Sequence, residues 1–158
     1  MVKRRIEEVI SDVLRDEARK NALEFIAYLR ANNIMIEDSD NYFWHPTYRA
    51  KGLCTINVEI NDDGASLDTF INDLPGAWIA SANSGECVDE RTKEIIWANL
   101  RPCEITGCGD CSPGISKIIL GKEFNNLCGS FLGIYDPDAE TIECMKKIID
   151  GLKSEILD

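Results

Sequence analysis

Histidine is almost missing from this chain: His45 is the only one in 158 residues. A nucleophilic triad needs an imidazole beside a serine or cysteine, and no such motif surrounds His45, which reads as a core or surface residue. Basic charge is also short. Seventeen Lys and Arg against twenty-eight Asp and Glu leave a net charge of -11. Such a surface repels phosphate backbones and anionic headgroups, so nucleic acid and membranes are not expected partners. The cluster Lys3, Arg4 and Arg5 reads as the solvated start of a helix.

Eighteen apolar residues never run together, and "MVKRRIEEVISDVLRDEARK" has no apolar h-region. Neither a spanning helix nor a signal peptide is expected, and the expected location is cytoplasmic. Repeats, low-complexity tracts and linker compositions are missing too, which predicts a single domain over residues 1–158. "GCGDCSPG" lacks the lysine and the following helix of a phosphate-binding loop. "DSDN", "NDDG" and "DPDAE" do not follow an EF-hand pattern, and aspartate at such places serves turns and helix caps.

What is present is a helical pattern at both ends with strand patterns between. Ile6, Val9, Ile10, Val13 and Leu14, continued by Ala22, Leu23, Phe25, Ile26 and Leu29, recur at helical spacing in one long helix or two short ones. Asn32 and Asn33 are suited to terminate it, since Asn tolerates the left-handed conformation. "LCTINVEI" alternates and predicts a strand with one buried face. "NYFWHPTYRA" before it reads as extended, and "NDDG" after it as a turn.

A short helix is expected around "LDTFINDL", then a strand at "AWIASA", then a helix from Asp89 to Leu100. "SKIIL" and "SFLGIY" predict two strands joined by a "GKEFNN" turn. The last element opens with Asp136 as N-cap and Pro137 as first helical residue, and carries Ile142, Met145, Ile149, Leu152 and Ile156 along one stripe. The expected fold is therefore α+β, an antiparallel sheet covered on one face by the N- and C-terminal helices.

The chemistry concentrates in "RPCEITGCGDCSPG". Cys103, Cys108 and Cys111 have the spacing C-x4-C-x2-C, and Cys128 follows after sixteen intervening residues. Four thiolates suit a tetrahedral zinc ion or an iron-sulfur cluster, and Gly107, Gly109 and Gly114 allow a loop to wrap a small ion. Cys87 is a substitute for the fourth ligand. Seven cysteines, an odd number in an expected reducing compartment, fit a complete disulfide framework poorly. Cys54 and Cys144 read as small buried hydrophobes. For the loop group, unligated thiols with no cofactor stay open beside zinc, as does a dithiol redox pair at Cys108 and Cys111, although no strand-to-helix junction follows to activate it.

"CEITGCGDC" with a later cysteine resembles the plant-type 2Fe-2S ferredoxin pattern, and "CGDC…IILGKEFNNLC" is similar to the iron-sulfur domain of xanthine-dehydrogenase-like enzymes. That resemblance covers about twenty-six residues and implies electron transfer by a cluster on Cys103, Cys108, Cys111 and Cys128. The order "IIWAN", "CSPG", "GKEF", "LC" and "PDAETIECMKK" resembles a family of small bacterial α+β proteins without an assigned activity, which implies a fold and no catalytic residues.

Trp44, Tyr48, Arg49 and Trp78 are candidate ligand-binding residues: aromatics line apolar pockets, and Arg49, with Lys51, can read an anionic group. The resulting expectation is a binding domain for a small molecule or a protein partner, with a cysteine loop that is structural or holds zinc. Colour separates zinc from the cluster. Protein purified anaerobically is expected to be colourless and free of iron; visible absorption that bleaches on reduction would establish the electron-transfer alternative instead.

Overall fold

A computed structural model describes residues 2–79, 86, 88–103 and 114–157. Their elements, in order, are α1 (Ile6–Val13), α2 (Asp16–Ala31), β1 (Phe43–Trp44), β2 (Thr47–Tyr48), β3 (Lys51–Gly52), β4 (Thr55–Asn61), β5 (Gly64–Ile71), a 3-10 turn (Gly76–Trp78), α3 (Glu90–Ala98), β6 (Leu100–Pro102), β7 (Ile115–Ile119), β8 (Lys122–Tyr135) and α4 (Ala139–Leu157). This is an α+β fold. Six strands form one antiparallel sheet in the order β1-β4-β5-β8-β6 with β7 also on β8, and β2 with β3 forms a separate hairpin. No helix among the described residues is long and apolar enough to cross a membrane.

By backbone proximity the chain divides into two compact units, Met1–Phe70 with Ile134–Asp158, and Ile71–Gly133. The first unit takes both ends of the chain. Its helices follow the apolar periodicity: Ile6, Val9 and Ile10 of α1 and Phe25, Ile26 and Leu29 of α2 are fully buried. The pattern breaks after Val13 because Leu14 and Arg15 are extended, and Asp16 opens α2 at φ 48°. Asn32 and Asn33 end α2, the latter left-handed at φ 60°.

Helix α1 packs on α2 and β4, and α2 packs on α4. Arg30 ties the first pair together: its Nε and Nη2 donate to the two Glu7 carboxylate oxygens at 2.8 and 3.2 Å, and its Nη1 donates to the Ile36 carbonyl at 3.1 Å. Burial works against the Glu7 charge, but the Arg30 hydrogen bonds outweigh it and hold the carboxyl below its ordinary range. Between α2 and α4, the Tyr28 hydroxyl donates to the Asp150 carboxylate, and Lys146 Nζ donates to Glu24 at 3.0 Å.

β4 alternates as its sequence requires, with Ile56 and Val58 buried. It turns into β5 through Asp62 and Asp63, and Gly64 accepts the φ of 142° that closes the hairpin. The segment "LDTFINDL" is thus a strand down to Ile71 and not a helix. Leu67, Phe70, Ile71 and Leu74 do carry helical spacing, but seven register pairs with β4, from Asn61↔Gly64 to Thr55↔Phe70, outweigh that local preference.

In the second unit, "GAW" forms the 3-10 turn where a strand was expected, and residues 80–82 of that expected strand lie outside the described residues. α3 forms where expected, capped by Asp89, whose carboxylate accepts from Thr92 N at 2.9 Å. "GKEFNN" is not a turn. Only Leu120 and Gly121 turn, both at positive φ, as a two-residue hairpin connection needs, and β8 then runs fourteen residues from Lys122.

The start of α4 also differs from expectation. Asp136 has φ 42° and stands outside the helix, exchanging hydrogen bonds with Leu67: its N donates to Leu67 O and its Oδ1 accepts from Leu67 N, both at 2.8 Å. Asp138 is the cap, its Oδ1 accepting from Thr141 N at 2.8 Å, and Pro137 precedes it. Asp138→Ala is expected to cost about 1 kcal/mol in chemical denaturation, and Asp138→Asn, which keeps an acceptor, only a few tenths. Equal losses for the two would show that the cap contributes nothing.

Candidate functional site

Two of the four proposed loop thiols, Cys108 and Cys111, lie outside the described residues, as does Cys87. The other two are Cys103, directly after β6, and Cys128 within β8, both half-buried. β6 pairs with β8 through Pro102↔Leu127. Cys103 follows Pro102 and Cys128 follows Leu127, so the two cysteines stand on neighbouring chain segments. Two cysteines twenty-five positions apart in sequence are thus brought next to one register pair.

A bulge in β8 sets this arrangement. Between the pairs Lys117↔Phe124 and Ile115↔Leu127, β7 spans two residues and β8 three, so β8 carries one extra residue. Asn126 takes the left-handed φ of 57° there, a conformation asparagine accepts at low cost. Cys103 N donates to Asn126 O at 2.7 Å, and Asn126 Nδ2 returns a bond to Cys103 O at 3.1 Å. Gly114 closes the other side. A Cβ there would stand 2.6 Å from Asn126 Oδ1 and 2.8 Å from Cys103 Cβ, so glycine is required by close approach and not by a positive φ. Asn126 was missed in the sequence, although "NN" carries its signal: asparagine where a strand must bulge.

Among the described residues no group of three or more His, Cys, Asp or Glu is placed to hold a metal. The remaining cysteines behave as small hydrophobes. Cys54 is buried, and burial pushes its thiol up to about 12; Cys144 is buried in α4.

The candidate ligand residues occupy different surroundings. Trp44 is 1% exposed and belongs to the core of the first unit, and its buried Nε1 has no hydrogen-bond partner among the described residues. Tyr48 is half-buried, and its ring carries two cations, Lys153 Nζ at 4.8 Å and Arg49 Cζ at 5.6 Å. Arg49 and Ala50 form the turn between β2 and β3, both at positive φ. A shallow cleft of about 420 Å³ is lined by Lys3, residues 37–41, Phe43, Trp44, His45 and Thr47; Tyr48 and Arg49 do not line it. Trp78 belongs to the second unit, in the 3-10 turn. His45 is exposed, its Nδ1 3.4 Å from Thr55 Oγ1.

No protein-family model, curated protein sequence or solved structure matches the chain.

Thiol alkylation followed by mass spectrometry checks these placements. In metal-stripped, reduced protein, Cys103 and Cys128 are expected to react at least about tenfold faster than Cys54 and Cys144, because a buried thiol is shielded and rarely ionised. Equal rates at the four positions would contradict the burial.

Proposed function

We propose that this chain is a binding domain in which Cys103, Cys108, Cys111 and Cys128 hold a structural zinc ion as four thiolates. One observation carries the reading: Cys103 and Cys128 directly follow the register partners Pro102 and Leu127, and Cys108 and Cys111 fall in the sequence between Cys103 and Gly114. The Asn126 bulge and the close approach of Gly114 support it, because a preset mouth lowers the ordering cost of bringing four ligands together. Zinc is preferred because thiolate sulfur is soft and a closed four-sulfur shell is its common structural form. The domain would act by binding a small molecule or another protein, with the metal stabilising the fold.

Elemental analysis of reduced, freshly purified protein tests the reading. About one zinc per chain is expected, with loss of most of it in Cys128→Ser and a lower Tm on chelation. Substoichiometric zinc with a Tm that a chelator leaves unchanged would overturn it and leave unligated thiols. Iron with visible absorption would replace it by the 2Fe-2S alternative, and a reversible Cys108–Cys111 disulfide without metal would replace it by the dithiol one.

A further inference from the structure

Asp68, in the middle of β5, is 2% exposed, and its Oδ1 has no hydrogen-bond partner among the described residues. Buried carboxylates are ordinarily paired with a cation or saturated by donors. Here the surroundings are of the opposite kind. The residue across the register is the uncharged Asn57 of β4, and Glu59 lies two positions along the same strand, opposite Ser66. Ser66, Asp68 and Glu59 share one face of the hairpin, since side chains two apart in a strand emerge on the same side. Asp136, held against Leu67 by the two bonds described above, adds a second facing carboxylate ahead of α4. The end of β8 contributes Tyr135, stacked edge-on against Phe70 at 5.9 Å.

We propose that the buried Asp68 carboxyl, on the same face of the hairpin as Glu59, makes the β4–β5 hairpin a pH-sensitive element that loosens as the pH rises. A protonated Asp68 donates to the exposed Glu59 carboxylate, which removes the charge from the buried member of the pair and supplies its carboxyl group with a bond. Burial first, then the Glu59 hydrogen bond and the repulsion from Glu59 and Asp136, push the Asp68 carboxyl above its ordinary range, against a lowering bond from Ser66. The sign of the linkage follows. At pH below the ordinary aspartate range, folded and unfolded chains both carry the proton and the contribution is fully present. As the pH rises, the unfolded chain releases its proton first, so stability declines until the folded carboxyl also ionises. The device ties the hairpin to the start of α4, because Leu67, next to Asp68, carries both bonds to Asp136.

Carboxyl ¹³C NMR titration of the full chain, with the Asp68 carboxyl assigned through its own backbone resonances, reads the proton directly. The Asp68 midpoint is expected well above the ordinary value of about 3.9, and to move down in Glu59→Gln while staying in place in Asp63→Asn, a change in the exposed turn. Thermal melts supply the second reading. Asp68→Asn, which keeps a donor for Glu59, is expected to raise Tm by roughly 2–4 °C at pH 7 and to converge on the parent near pH 4. A midpoint at or below about 3.9 would overturn the proposal, as would melting curves of the two proteins that run parallel from pH 4 to 8. If Asp68→Asn fails to fold, Glu59→Gln provides the comparison and the titration of the parent chain decides alone.

Discussion

The second unit hangs on a single strand. β8 must serve β6 and β7 at once, and Leu127 is the register partner of both Pro102 and Ile115. A regular strand could not keep both registers, since β7 runs one residue short against it. The extra residue is absorbed at Asn126, whose left-handed backbone and side-chain amide turn an irregularity into a clamp on Cys103. The hold on Cys103 and the need for glycine at 114 follow from that one position. A residue with a branched Cβ there would meet the steric cost of the left-handed region and lose the amide bond together.

In the first unit the constraint is charge. An acidic chain that brings its two ends together must either pair its carboxylates or keep them wet. Glu7 is paired by the Arg30 fork, and Glu24 by Lys146, while Asp150 accepts from Tyr28. Asp68 is the exception. It is buried with acidic neighbours, and a proton is the simplest cation the site can take. Lys153 illustrates the opposite solution: it lies over Tyr48 and donates to the Asn32 carbonyl at 2.9 Å, where the C-terminal end of α2 favours a positive charge.

Much of the architecture could be read from local pattern. The stripe of α4, buried from Ile142 to Leu152, and the alternation of β4 both report one buried face, and a buried face imposes its period on the residues that form it. Asn33 and the "NDDG" turn were legible because their backbone conformations restrict the residues that can occupy them. β5 was misread, since its apolar spacing also suits a helix and only the pairing with β4 decides between the two. The first residues of β8 were misread for the opposite reason: Gly and Asn are turn formers, yet just Leu120 and Gly121 turn. Asp136 and Asp138 both suit a cap, and the bonds between Asp136 and Leu67, sixty-nine positions away, left Asp138 to do it.

By itself, then, the sequence determined the acidic surface, the helices at both ends, the alternating strand and the clustering of cysteines in one stretch, because each depends on neighbours close in the chain. Tertiary structure alone decided which residues share a face across strands. It set Cys103 against the bulge at Asn126, took Trp44 into the core, and buried Asp68 in the β4–β5 hairpin. These are consequences of register, and register depends on the partner strand, which no local pattern contains.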